Sequence, residues 1–419
     1  MTGNISLPGD EGITITMPDG SINPEVDAQI AEIQKQVVSI RGLTPNGEFT
    51  RSFLTPEDLQ ERVNNDFFSE YTPEEAATDV GILSVFGLME ADYDIYGLYT
   101  ALYAEQIAGF YDDETKEMVV VLEGGWAGPE RITYAHEYQH ALQDQNFGLG
   151  ESIGYTEEAC EEDSERCAGL QALIEGDASL TELMWFEQYG TLTDQRQIAQ
   201  FYNNLESPVY DSAPEFLKQD FVFPYDQGYQ FVNELYQRGG WQAVDNAYVE
   251  APLSTEHILH PETYPNEIPI FVTLPDLLPL LPDGYEALDD NVMGEWYTYL
   301  ILSAGHDTTF RLNEDTAKQA AAGWGGDRYA VYGDENGEYV MVMLTTWDTE
   351  NDAVEFASAF DQYGNLRYGP AAEENENRAW TFDKAHVLFV QNGDQTLWIH
   401  APSADLAETV QNAILDTQP

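Results

Sequence analysis

The chain has to fold while carrying 76 Asp and Glu residues against only 16 Lys and Arg, a formal net charge of −60 over 419 residues. Self-repulsion on that scale opposes compaction unless salt or bound cations screen it. It also restricts the interior, because a buried carboxylate without a partner is costly and ends up neutral, paired or metal-bound. The charge argues against a nucleic-acid partner, since phosphate binding needs Lys and Arg clusters and none is present. A salt-adapted source is one reading of the acidity, and an acidic exported protein with calcium sites is another. Hydrophobic residues at 43% and aromatics at 12% still describe a globular chain. Its length suits two domains, or one large domain with an appendage.

Within residues 131–147, "RITYAHEYQHALQDQNF", His136 and His140 stand four apart with Glu137 directly after the first. On a helix, positions i and i+4 point the same way, so both rings can offer a nitrogen to one ion. Glu137 can lean over that ion without ligating it, take a proton from a water there and pass it to a leaving amine. This is the H-E-x-x-H pattern of zinc hydrolases. Tyr134, Ala135, Tyr138, Ala141 and Leu142 give the helix apolar faces, as expected beneath a cleft. Catalytic zinc takes three protein ligands and keeps a fourth position open. A third histidine in the metzincin spacing is excluded, because Phe147 stands there. Glu175 in "QALIEGDASL" is the best third ligand, a lone carboxylate in an apolar helical stretch. Its neighbours Ala172, Gly176, Ala178 and Ser179 are small enough to let another helix approach closely.

The predicted organisation is α+β. Residues 1–24 read as a flexible leader, residues 25–270 as a mostly helical metal-binding domain with a small edge sheet, and residues 271–419 as a C-terminal helical plus α+β module. A helix is predicted over about 25–40, and two Thr-Pro-Glu runs mark helix starts at Thr55 and Thr72. "AGFYDDETKEMVVVL" reads as a hairpin just before the histidine segment. In the C-terminal module, "DRYAVYGDENGEYVMVMLTTWD" and "KAHVLFVQNGDQTLWIHA" read as two further hairpins, each followed by a helix. The two cysteines, Cys160 and Cys167, fall in an acidic loop at a spacing that suits a disulfide and so an oxidising compartment. The Gly, Pro and Asp-rich start resembles a mature exported protein, which gives a secreted or extracellular expectation. No apolar run reaches the roughly 18 to 20 residues of a spanning helix, and "IPIFVTLPDLLPLLP" is broken by prolines.

"HEYQHALQD" resembles the core of thermolysin-like gluzincins, zinc peptidases whose third ligand is a glutamate on a following helix. The resemblance is closer to a family of bacterial secreted proteins, mostly uncharacterised metallopeptidases. In these, segments like Gly109–Asp112, His136–Gln145, Ala172–Ala178, Gly239–Tyr248, Ser254–Glu262 and Gly323–Arg328 recur in this order. The resemblance covers most of the chain beyond the leader. It implies His136, His140 and Glu175 as zinc ligands, Glu137 as general base, and a peptide or protein as substrate. The chain departs from thermolysin in a longer insertion between His140 and Glu175. It departs again at Ser179, where the usual aspartate is missing, so Asp177 or Asp144 is expected to hold a ligand histidine's other ring nitrogen. A donor for the developing oxyanion is expected from His257 or His260 in "STEHILHPETYP", with Tyr225 and Tyr229 behind them. An edge strand that pairs with extended substrate is expected in the hairpin before the histidines.

Other features weigh less. "GWGGDR" reads as turn geometry and packing, with Arg328 paired to an acid. His306, His386 and His400 read as structural. "EEACEEDSER" could bind calcium but lacks the spacing of a defined loop, and reads better as a solvated face. Two other functions fit the same residues: a zincin-fold binding or sensing protein with little turnover, and a zinc amidohydrolase acting on non-protein amides. The intact Glu137 favours a peptidase over a pure binder.

Overall fold

The computed structural model describes residues 12–15, 17, 21–67, 71–122, 124–150, 152–374, 377–382 and 385–415, and the fold is α+β. Most of the predicted leader, residues 1–11, 16 and 18–20, lies outside the described residues. The described part is docked: Ile13 bridges Trp126, and Ile15 is buried in the same apolar cluster as Trp126. Two isoleucines against a tryptophan outweigh the Gly and Pro content that reads as flexible.

A helix at Pro24–Arg41 opens the ordered chain, capped by Asn23 and ended by Gly42 in the left-handed region. Val26, Ile30, Ile33 and Val37 form its apolar stripe and pack on Tyr134, Ala135, Tyr138, Ala141 and Leu142 of the histidine helix, Gly128–Phe147. Both Thr-Pro-Glu runs start helices as expected. Thr55 and Thr72 each exchange hydrogen bonds with the third helical residue, Asp58 and Glu75. The predicted hairpin forms β2 (Gly109–Asp112) and β3 (Glu117–Val121), joined by β1 (Thr50–Leu54) in parallel on the other side of β3. The order β1-β3-β2 places no strand on the outer side of β2 among the described residues.

The glutamate helix, Ser164–Tyr189, crosses the histidine helix and is itself crossed by a proline-containing helix, Glu215–Gly239. A Cβ on Gly176 would lie 2.1 Å from the Gly228 carbonyl oxygen, and one on Gly228 would lie 2.1 Å from that of Ala172. The small residues around Glu175 therefore allow backbone to meet backbone. Cys160 and Cys167 are disulfide-bonded. They stand on helices, Glu157–Glu162 and the glutamate helix, rather than in a loop.

The C-terminal half holds a seven-stranded antiparallel sheet in the order β4-β5-β6-β10-β9-β8-β7. The strands are β4 (Glu286–Asn291), β5 (Trp324–Gly333), β6 (Tyr339–Trp347), β7 (Ala372–Glu374), β8 (Asn377–Phe382), β9 (Ala385–Asn392) and β10 (Gln395–Ala401). Both predicted hairpins form, β5–β6 and β9–β10. Strand runs such as "YVMVML" are apolar at every position because both faces are covered. Met341 and Met343 face the helix Glu350–Tyr368 and the helical body, while Val340, Val342 and Leu344 face the closing helix, Ala404–Leu415. Among the described residues, no helix is long and apolar enough to cross a membrane.

Candidate metal centre and active-site cleft

His136 and His140 lie on the histidine helix, and Glu175 faces them from the glutamate helix. One ligand atom from each falls within 4.8 Å of the other two. The two Nε2 atoms converge on a single Glu175 Oε2, at 3.2 Å from His136 and 3.4 Å from His140. Both Nδ1 atoms are engaged behind the site. His136 Nδ1 lies 2.8 Å from Glu182 Oε2, and His140 Nδ1 lies 2.8 Å from Gln143 Oε1. The Gln143 amide nitrogen already donates to the Ile174 carbonyl and to Asp177. Its oxygen therefore faces the ring and accepts the Nδ1 proton, leaving the Nε2 lone pair pointing at the ligand position.

Asp177 stands one layer further back than the sequence suggests. Fully buried, it binds Arg41 through two hydrogen bonds of 2.7 and 3.1 Å and also accepts from Gln139, Gln143 and the Tyr248 hydroxyl. Arg41 is 1% exposed, reaches Asp245 at 2.7 Å and lies over the Trp241 ring. The segment Gly239–Tyr248 thus supplies Trp241, Asp245 and Tyr248 to one buried ionic core that holds Gln143, and through it His140. Asp144 is not part of this support, because it accepts from Tyr111 and Lys116 on the other side of the helix. Glu182, Gln143 and Arg41 are the site residues that the sequence reading missed. Gln143 carried a usable signal, since position i+3 from a ligand histidine is within side-chain reach on a helix.

Glu137 is buried beside the two rings. Burial pushes its carboxyl above the usual range, against the opposing pull of His136 and His140. Burial acts in the same sense on Glu175, but with both rings protonated, as they are when no ion draws on their Nε2 lone pairs, the charges and hydrogen bonds of His140 and His136 outweigh it and hold this carboxyl well below the usual range. These groups open on a cavity of about 1070 Å³ that is also lined by β2 and by Tyr99, Tyr103, Tyr155, Tyr202 and Tyr225. Strand β2 forms one wall. A Cβ on Gly109 would meet Thr133 at 2.8 Å and Glu137 at 3.1 Å, so only glycine lets the strand pass this close to Glu137.

The residues expected to serve the oxyanion divide. His257 and His260 do not line the cavity. His257 is buried, accepts from the Leu253 backbone amide and sits 2.7 Å from the Glu267 carbonyl, so both ring nitrogens are used in holding a loop. His260 pairs with Glu295 at 2.9 Å. Tyr229 is not among the cavity residues either, and its backbone nitrogen sits at the Gly176–Gly228 helix crossing. Tyr225 is the one that reaches the site, its ring centroid 6.3 Å from that of His136. It lies three residues before Gly228 on one helix face, so the glycine crossing that brings the helices together also carries Tyr225 over Glu175. Burial and the Glu175 and Glu137 charges push its hydroxyl well above the ordinary range, which keeps it a donor.

"GWGGDR" serves packing. Gly325 accepts from the Ile270 amide, Gly326 leaves room for the Ile270 carbonyl, and Arg328 pairs with Asp290. Among the described residues, the acidic stretch 157–166 contributes to no group of three that could hold a metal ion. A family model described as "Domain of unknown function (DUF8575)" matches residues 282–411, which span the seven-stranded sheet and leave the histidine centre outside. No curated protein and no solved structure matches the chain.

Proposed function

We propose that the protein is a zinc-dependent peptidase of gluzincin type, exported to an oxidising compartment where the Cys160–Cys167 disulfide persists. The observation that carries this reading is the convergence of two Nε2 lone pairs on one carboxylate oxygen, with both Nδ1 atoms hydrogen-bonded behind them. Two imidazoles and a carboxylate with a cavity on the open side fit zinc, and His136, His140 and Glu175 would hold it. Zinc supplies Lewis acidity toward a carbonyl and lowers the pKa of water.

The chain's own groups supply the rest. Glu137, raised in pKa by burial, accepts the proton of the attacking water and returns it to the departing amine. Tyr225 donates to the oxyanion in place of the two histidines that the sequence pointed to. The outer side of β2, next to which no described strand lies, pairs with an extended peptide and holds it along the cavity, with Gly109 leaving room over Glu137. The cavity wall carries Asp112, Asp113 and Glu182 besides the centre itself, which favours basic over acidic peptides.

The test is cleavage of a mixed peptide library by the zinc-loaded protein and its Glu137→Gln variant, from low to high salt, with zinc content measured on both. The parent cuts, and the variant retains zinc while turning over roughly 10²- to 10⁴-fold more slowly. A zinc-loaded parent that cuts nothing at any salt, or a variant that cuts at the parental rate, defeats the proposal.

A further inference from the structure

A second group of carboxylates lies away from the cleft, where the helical body meets the large sheet. Glu256 is on the short helix Thr255–Leu259, Glu267 on the loop that follows, and Asp348 directly after β6. Ligand oxygens from these three fall within 4.8 Å of one another. Glu256 is 3% exposed, and no described donor reaches its carboxylate, whereas Asp348 stands at the surface, so the group runs from the interior to solvent. Among the described residues, none of the three pairs with a Lys or Arg.

Glu295 adds an independent observation. It is 4% exposed, sits in the first turn of the helix Gly294–Ser303, and gives one oxygen to His260. Its other oxygen, Oε2, is buried with no hydrogen-bond partner. Of the neighbouring charges, Glu295 acts most strongly on Glu256, ahead of Asp348 and Glu267. A carboxylate with an orphaned oxygen therefore lies close enough to act on a cluster of carboxylates that, among the described residues, pairs with no Lys or Arg, the arrangement that costs most in a dry site.

We propose that Glu256, Glu267 and Asp348, with the charge of Glu295 beside them, form a calcium site that fastens the helical body to the seven-stranded sheet. The donors are all oxygen, which selects a hard cation. Ca²⁺ takes six to eight oxygens in irregular arrangements, completing its set with carbonyls and water, whereas Mg²⁺ demands a near-ideal octahedron. His260 offsets the charge of Glu295, and a divalent ion offsets two of the remaining three. The scaffold is fixed on both sides of Glu267: His257 holds its carbonyl, and three residues on the Ile270 amide donates to Gly325 of β5. This gives the segment Ser254–Glu262 a role that the cleft does not. Burial and the surrounding carboxylates push Glu256 up to about 9, so cation entry displaces protons.

The test uses the full zinc-loaded chain, stripped with a calcium-selective chelator and held at constant ionic strength. CaCl₂ is titrated by calorimetry, and thermal unfolding is followed in parallel. One Ca²⁺ binds per chain and Tm rises with its concentration. Glu256→Gln and Asp348→Asn each weaken affinity roughly tenfold or more, because ligand charge sets calcium affinity. In chelator the order reverses near neutral pH, and Glu256→Gln melts above the parent because folding the parent forces a proton onto a carboxyl that is ionised in the unfolded chain. Should that variant fail to fold, Asp348→Asn at the exposed end carries the affinity arm alone. Unchanged calcium affinity in the folded variants overturns the proposal. So does an equal rise in Tm with Mg²⁺ or Na⁺ at matched ionic strength, which would reduce the effect to screening.

Discussion

The two carboxylate clusters of this molecule are built in opposite ways. Around Glu175, both histidines that face the ligand position are backed by another group: Glu182 behind His136, and Gln143, Asp177 and Arg41 in series behind His140. Around Glu256, carboxylate faces carboxylate, the balancing side chain is a single histidine, and one buried oxygen has nothing to bind. The first is organised before any ion arrives, with lone pairs aimed and tautomers fixed. The second is under repulsion, and an ion relieves it. A chain with a net charge of −60 spends one of its few arginines, fully buried, on the first cluster and none on the second.

Breaking the support of the first cluster gives the largest effect. Asp177→Ala leaves the buried Arg41 guanidinium with only Asp245 and strips Gln143 of an acceptor. The expected loss is about 3–5 kcal/mol, the usual consequence of removing one partner of a buried pair. Denaturant unfolding of parent and variant at matched salt measures it. A loss below about 1 kcal/mol, the worth of an exposed ion pair, would show that Arg41 and Asp177 do not form the buried core described.

Next come two substitutions that leave the fold intact. Tyr225→Phe removes the hydroxyl over the centre and is expected to lower kcat roughly 10²- to 10³-fold with little change in KM. A parental kcat would return the oxyanion role to another cavity tyrosine. Gln143→Leu keeps the volume but leaves the His140 Nδ1 proton without its acceptor. The zinc affinity should fall roughly 10- to 100-fold, read by competition with a zinc indicator. An unchanged affinity would mean that ring orientation comes from packing alone.

How far the sequence led differs between the clusters for a physical reason. His136, Glu137 and His140 were legible because a helix converts a spacing of four into one face. Glu175 was legible because a lone carboxylate in an apolar run needs a partner. Glu182 and Arg41 were not, since their partners lie 46 and 136 residues away in sequence and no local period links them. His257 and His260 misled because they are polar residues in a distinctive segment. What places them is the path of the chain after Leu259, which turns toward β5 rather than the cleft. The sheet was read well where turns are local, at Asn392-Gly393 and around Asn336-Gly337. The edge strands β4 and β7, and β8 next to β7, carry no local signal that marks them, and neither does β1, whose parallel partner is 67 residues on.

The smallest expected effect sharpens the comparison most, because it has opposite signs at the two clusters. Glu175 is held ionised by its histidines, whereas Glu256 has its carboxyl raised from 4.5 to about 9, first by burial and then by Glu295, Asp348 and Glu267. A raised carboxyl binds more protons folded than unfolded, so its contribution to stability is complete below about pH 4.5 and drains away as pH rises toward 9. In calcium-selective chelator, the parent should therefore lose stability relative to Glu256→Gln between pH 5 and 9, by a few degrees of Tm in a chain of this size. Subtracting the variant cancels the pH dependence of the other carboxylates and of His260. Saturating Ca²⁺ should flatten the difference or invert it, since the ion binds the deprotonated form and stabilises the parent more as pH rises. A parent-minus-variant difference that stays flat in chelator would mean that Glu256 ionises freely, and that the repulsion inferred from its position is already relieved by solvent.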